Sequence, residues 1–80
     1  MEYPVFILLP DGSKIEVEGT KNAKDILVDC EEPYISRHFL GINNFFLVYK
    51  GRKLDDEMSP KRFGIDKRET ISLLYESPGY

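Results

Sequence analysis

The side chains that could carry out chemistry are few in this 80-residue chain. Its one cysteine, Cys30, falls on the apolar side of a predicted helix, where a thiol is usually part of the core. Its one histidine, His38, has no acidic residue at helical spacing to orient the ring as a base. Nucleophilic and acid–base catalysis need such partners. The sequence therefore predicts that the chain is not an enzyme.

Metal and cofactor sites are not predicted either. Zinc sites need grouped cysteine and histidine side chains. The acidic run Asp55-Asp56-Glu57 lacks the alternating oxygen ligands and the glycine of a calcium loop. We expect this run to be a solvent-exposed turn.

Composition and charge restrict the partners and the location. The net charge is −3, and the 11 Lys and Arg residues are spread along the chain, so nucleic acid is not an expected partner. The longest apolar run, Val5 to Leu9, is far shorter than the roughly 20 residues of a membrane span. The lone cysteine and the lack of a signal-peptide pattern favour an intracellular protein, cytoplasmic or nuclear.

The amino-terminal residues predict a β-hairpin. Tyr3 to Leu9 is a β-rich run, and the Pro-Asp-Gly sequence that follows is typical of a three-residue hairpin loop. Pairing outward from Leu9 opposite Ser13 places one set of apolar side chains on a single face. These predicted core residues are Val5, Ile7, Ile15 and Val17.

A helix should follow and cover that face. Asn22 is a typical N-cap residue, and Asp25 would favour the positive end of the helix dipole. Helical spacing then aligns the apolar residues Ala23, Ile26, Leu27 and Cys30. Pro33 should end this helix or start a second one, and residues 34–40 could form that second helix with Ile35 and Phe39 inward.

The carboxyl-terminal half predicts the remaining strands. Phe45 to Tyr49 alternates as a strand, Lys50-Gly51 is a turn, and a short return strand ends at Leu54. Pro60 excludes a regular central strand, and Phe63-Gly64-Ile65 should anchor an irregular crossing in the core. Thr70 to Tyr75 is the last strand, with Leu47, Ile71 and Leu73 facing the core.

From Leu47 to Tyr75 the order and spacing of these features resemble ubiquitin and the ubiquitin-like domains. The resemblance implies an α+β β-grasp fold, with a mixed four- to five-stranded sheet and one main helix packed on one face. The expected domain covers residues 1–76, and residues 77–80 are a tail or the start of a linker. The chain ends Glu76-Ser77-Pro78-Gly79-Tyr80, without the terminal Gly-Gly of conjugated modifiers. The resemblance is therefore to the non-conjugating type.

The sheet face away from the helix is unusually apolar. If the strands follow the β-grasp order, five of its six central residues are apolar, rimmed by Lys14, Lys50 and Arg52. We call these six residues the outer face: Phe6, Leu8, Phe46, Val48, Ser72 and Leu74. The resemblance matches this face to the patch through which ubiquitin-binding domains and proteasomal receptors hold ubiquitin. Val48 occupies its central aliphatic position, while Phe46 and Ser72 replace an arginine and a histidine.

Three functions follow as alternatives. The first is a non-covalent protein-interaction domain, at the amino terminus of a larger protein, that docks the outer face onto a ubiquitin-binding or proteasome-associated protein. The second is a structural lobe of a FERM-type or other multidomain protein, in which the same face or the extended region around Pro33 packs within its own chain; a second copy of the chain could also cover the face. The third is a Ras-association domain, which the acidic end of Lys14-Ile15-Glu16-Val17-Glu18 disfavours.

Overall fold

A computed structural model describes residues 1–30 and 45–76. In chain order the described elements are β1 (Pro4–Leu8), β2 (Lys14–Glu18), α1 (Ala23–Cys30), β3 (Phe45–Tyr49), β4 (Arg52–Lys53), α2 (Pro60–Phe63) and β5 (Thr70–Tyr75). The predicted helix at 34–40, with Ile35, His38 and Phe39, and the predicted tail at 77–80 lie outside these residues. No helix in the described ranges is both long and apolar enough to cross a membrane.

The strands form one mixed sheet in the order β2-β1-β5-β3-β4. β1 and β5 run parallel, and the other neighbouring pairs are antiparallel. The first and last of the described strands therefore pair next to each other in the middle of the sheet. This is the β-grasp arrangement, with five strands, and the predicted fold class is confirmed.

The first hairpin has the predicted register. Ile7 lies opposite Ile15 and Val5 opposite Val17. The Leu9 N–H donates to the Ser13 carbonyl at 2.8 Å, and Gly12 has a φ of 93°. That dihedral is the left-handed conformation that favours glycine in this loop.

Helix α1 contributes the predicted stripe to the core. Ala23, Ile26, Leu27 and Cys30 are all buried and form one cluster with the sheet residues. Val5, Ile7, Val17, Leu47, Ile71 and Leu73 are buried as predicted. Ile15, also predicted in the core, is only half-buried, because β2 is an edge strand and nothing described covers its outer side.

The chain between β4 and β5 holds the first turn of α1 in place. Asn22 occupies the N-cap position, since its carbonyl accepts from the N–H groups of Asp25 and Ile26. The N–H groups of Ala23 and Lys24 donate to the carbonyls of Met58 and Asp56 at 2.9 and 3.1 Å. Two of the donors that a helix start leaves without partners are thus satisfied by a distant loop.

The predicted irregular crossing contains a one-turn helix, α2. Ser59 is its N-cap, accepting from the Arg62 N–H at 3.1 Å, and Pro60 follows at the first helical position. A proline there loses no hydrogen bond, because that N–H has no partner within the helix. Gly64 ends the turn with a φ of 95°, and Ile65 is fully buried, as predicted for the anchor of this crossing.

Candidate functional site

The six outer-face residues lie together on the sheet, opposite α1. Strand side chains alternate between faces, and their neighbours Val5, Ile7, Leu47, Ile71 and Leu73 are buried beneath the helix. Five of the six are half-buried, and Leu74 is 43% exposed. The sequence pattern therefore identified one continuous surface.

One cross-strand row runs through the middle of this surface. Leu8 pairs with Ser72, and Ser72 pairs with Val48. The row continues outward to Lys14, which pairs with Leu8, and to Lys53, which pairs with Val48. A row of two apolar side chains with a serine between them and a lysine at each end thus spans all five of the described strands.

The other outer-face residues flank this row. Phe46 pairs with Leu74 on one side. On the other side Phe6 pairs with both Glu16 and Thr70. By this pairing Glu16 is the acidic residue nearest to the row, and it lies directly across from Phe6.

The predicted rim needs one correction. Arg52 pairs with Tyr49, so its side chain lies on the opposite side of the sheet from the outer face. Its guanidinium carbon lies there, 4.9 Å from the centre of the Phe63 ring. Lys53 takes its place on the outer face, with its ammonium 4.9 Å from the centre of the Phe46 ring. Counting outward from the two-residue turn would have found Lys53, because that count puts it opposite Val48.

The turn itself explains this geometry. Lys50 and Gly51 have φ values of 49° and 78°, both positive, as a type I′ hairpin turn requires. The Lys50 ammonium lies 5.3 Å from the centre of the Tyr49 ring, and the Tyr49 hydroxyl donates to the Glu69 carboxylate at 2.5 Å. That hydrogen bond, with some burial and the Glu69 charge, raises the pKa of Tyr49 above its ordinary value.

Cys30 is the one thiol among the described residues, and it is buried. Burial, followed by the nearby Asp29 charge, raises the pKa of the Cys30 thiol to about 12, so the nucleophilic thiolate is disfavoured. Within residues 1–30 and 45–76, no three His, Cys, Asp or Glu side chains are grouped to hold a metal ion. The outer face offers apolar contact flanked by ammonium groups.

Comparison with known proteins supports the fold. No protein-family model and no curated protein matches the chain. Its structure is similar to the crystal structure of the UBL domain of Plasmodium falciparum Dsk2, with a TM-score of 0.72 and 20% sequence identity. The match covers 92% of this chain and 97% of that one. The predicted ubiquitin-like fold is therefore confirmed.

Proposed function

We propose that this chain, which has a ubiquitin-like fold, is a non-catalytic domain that binds another protein through its outer face. The observation that carries the proposal is the unbroken row of Leu8, Ser72 and Val48 across three neighbouring strands. Monomeric domains seldom leave a contiguous apolar surface of this kind without a binding role. A sheet face is also rigid, so little conformational entropy is lost when a partner docks.

The two charged ends of the row indicate which charges the partner should carry. Lys14 and Lys53 end the same row, separated by four strand spacings of about 4.8 Å, or roughly 19 Å. A complementary segment would carry apolar side chains at its centre and carboxylates toward both ends. Ubiquitin-binding domains and proteasome-associated proteins are the partner classes that the resemblance to ubiquitin supports.

Phe46 and Ser72 would set the preference among such partners. Phe46 adds an aromatic surface beneath the Lys53 ammonium, and Ser72 adds a small hydroxyl at the centre of the row. A wide apolar side chain could rest above Ser72 where a larger residue would exclude it. We therefore expect a binding profile that differs from that of ubiquitin within the same classes.

The central test is Val48→Asp. Truncating a central apolar anchor costs about 2 kcal/mol or more, which is about thirtyfold in affinity, and a buried carboxylate at the contact would cost more. The matched control is Val28→Asp, the same substitution on α1, where the valine is 54% exposed. Affinity should be measured by titration calorimetry against a panel of purified ubiquitin-binding domains and proteasomal receptor domains. Melting temperatures should be measured on every variant.

Loss of binding in Val48→Asp, with its melt unchanged and Val28→Asp still binding, supports the proposal. Equal affinities for parent and Val48→Asp would refute it. In the structural-lobe alternative, Val48→Asp would lower the melting temperature of the full-length protein, because it would bury an unpaired charge. That outcome, with no partner lost, would assign the outer face to packing within its own chain.

A further inference from the structure

The β2 edge of the sheet is a second surface, which adjoins the outer-face row at Lys14. β2 is the terminal strand of the described sheet, where it pairs with β1. In the described ranges no backbone group pairs with its other side. An open edge of this kind presents N–H and C=O groups that can pair with another strand.

The hairpin geometry identifies those groups. Ser13 and Gly19 bond to β1, through the Leu9 N–H to Ser13 carbonyl bond and the Gly19 N–H to Tyr3 carbonyl bond. Bonding direction alternates along an antiparallel strand, so Lys14 and Glu16 direct their N–H and C=O groups away from the sheet. The Glu18 carbonyl is already in use, since it accepts from the Lys21 N–H at 3.2 Å.

The side chains of this edge are complementary to themselves. In an antiparallel pair of two β2 strands related by a two-fold axis at Ile15, Lys14 of each copy lies opposite Glu16 of the other. Both side chains are exposed, and opposite charges directly across a sheet stabilise the pairing. The residues that carry the outward backbone groups are the same two residues, so hydrogen bonds and ion pairs are satisfied in one register.

The apolar residues beside the edge suit the same register. Ile15 would meet its own copy at the axis, which would cover the half-buried side chain that the fold leaves open. Met1, which is 72% exposed, lines the groove along Ile15 and Val17 on the side toward α1. Pairing would thus remove apolar surface from water at the centre of the contact.

We infer that two copies of this chain associate through their β2 edges, joining the two five-stranded sheets into one continuous sheet whose two β2 strands are antiparallel. A second copy of the chain is the partner that fits this edge, because the two-fold register places Lys14 of one copy opposite Glu16 of the other and Ile15 opposite Ile15. The two-fold axis uses up both β2 edges, so the assembly closes as a dimer. The other sheet edge is β4, a strand of only two residues, which is too short to extend the sheet further.

Charge substitution at the two residues tests this register. Lys14→Glu would place two acidic residues on each edge, and Glu16→Lys would place two basic ones. Each single variant should therefore have a dimer dissociation constant at least about tenfold higher than the parent's, because like charges would face each other. Mixed together, the two variants should form a heterodimer, since every acidic residue of one then faces a basic residue of the other. The double swap, Lys14→Glu with Glu16→Lys, should restore the homodimer.

Sedimentation equilibrium of the full chain is the measurement, over roughly 10 µM to 1 mM, the range in which small interfaces associate. The parent mass should rise from 9.3 kDa toward twice that value. Hydrogen exchange should show that the amides of Lys14 and Glu16 become protected as concentration rises. The control variant is Lys50→Glu, in the turn between β3 and β4, which should dimerise like the parent. Far-ultraviolet circular dichroism confirms that each variant is folded.

A parent that stays at 9.3 kDa across this range would overturn the inference. So would single variants that dimerise as well as the parent, or a mixture of the two that does not associate. Phe6, Leu8, Phe46, Val48, Ser72 and Leu74 all remain open in the dimer, and sedimentation of the purified chain involves no partner, so these results are independent of the Val48 test even though Lys14 borders both surfaces. Failure of one proposal leaves the other standing.

Discussion

Gly19 is a position where adding a single methyl group should destabilise the fold. The residue is buried at the end of β2, and its N–H donates to the Tyr3 carbonyl at 2.7 Å. Its own carbonyl accepts from the Lys61 N–H at 3.0 Å, so its backbone is held from two sides. A Cβ atom at this position would lie 2.7 Å from the Tyr3 ring, 2.8 Å from the Tyr3 carbonyl oxygen and 3.1 Å from Val5.

None of these neighbours can move freely. Val5 is fully buried, and the Tyr3 ring is fixed by its hydroxyl, which donates to the Ile65 carbonyl at 2.6 Å. Overpacking a filled site costs about 1–3 kcal/mol, against a gain of about 0.4–1 kcal/mol from the stiffer unfolded chain. We expect Gly19→Ala to lose about 1–2 kcal/mol, which at about 4–8 °C per kcal/mol corresponds to a melting temperature lower by roughly 4–16 °C.

The matched comparison uses asparagine at two glycines. Gly12 has a φ of 93° and no atom within 4 Å of an added Cβ, and asparagine tolerates left-handed backbone better than most residues. Gly12→Asn should therefore cost less than about 1 kcal/mol. Gly19→Asn should cost more than Gly19→Ala, because its side chain is larger. Urea and thermal melts that rank Gly12→Asn as the more damaging of the two asparagine variants would refute the steric reasoning.

Three further predictions concern the core, the thiol and the response to acid. Leu47→Ala and Leu73→Ala, each at a site 1% exposed, should lose about 2–5 kcal/mol in urea melts, and a loss under about 0.5 kcal/mol would contradict the core assignment. Native Cys30 should be alkylated slowly by iodoacetamide, because it is buried and its pKa is raised to about 12; complete labelling within minutes without unfolding would mean that α1 is misplaced. The pKa of Glu18 lies below its ordinary value of 4.5. Partial burial raises this pKa, but hydrogen bonds from the Thr20 side chain and from the N–H groups of Tyr3, Thr20 and Glu2 together lower it by more. Its stabilising effect is therefore present above pH 4.5 and lost as the pH falls through the lowered value, so Glu18→Gln should be less stable than the parent at pH 7 and approach it in acid; a difference independent of pH would contradict this.

Local patterns in the sequence were sufficient for the described strands and α1 and for which of their side chains share a face, whereas joining Phe6, Phe46 and Leu74 into one surface also needed the strand order that the resemblance implied. Period-two alternation decides which side chains share a sheet face, and the Pro-Asp-Gly loop fixes the register of the first hairpin. The helical spacing from Ala23 to Cys30 likewise identified every buried residue of α1. These features depend on neighbours a few residues apart, which is why they can be read without a tertiary structure.

Only the tertiary structure decided how distant segments meet. Among residues 1–30 and 45–76, the sheet order leaves Ile15 at an edge with no strand beyond it, although its spacing matches that of the buried Val17. The carbonyls of Met58 and Asp56 complete the start of α1, and Tyr3 closes over Gly19 and reaches Ile65, 62 residues away along the chain. Such contacts depend on the parallel pairing of β1 with β5 and on the path between β4 and β5. Since no local periodicity specifies that pairing, the open edge and the close packing at Gly19 follow from the assembled fold alone.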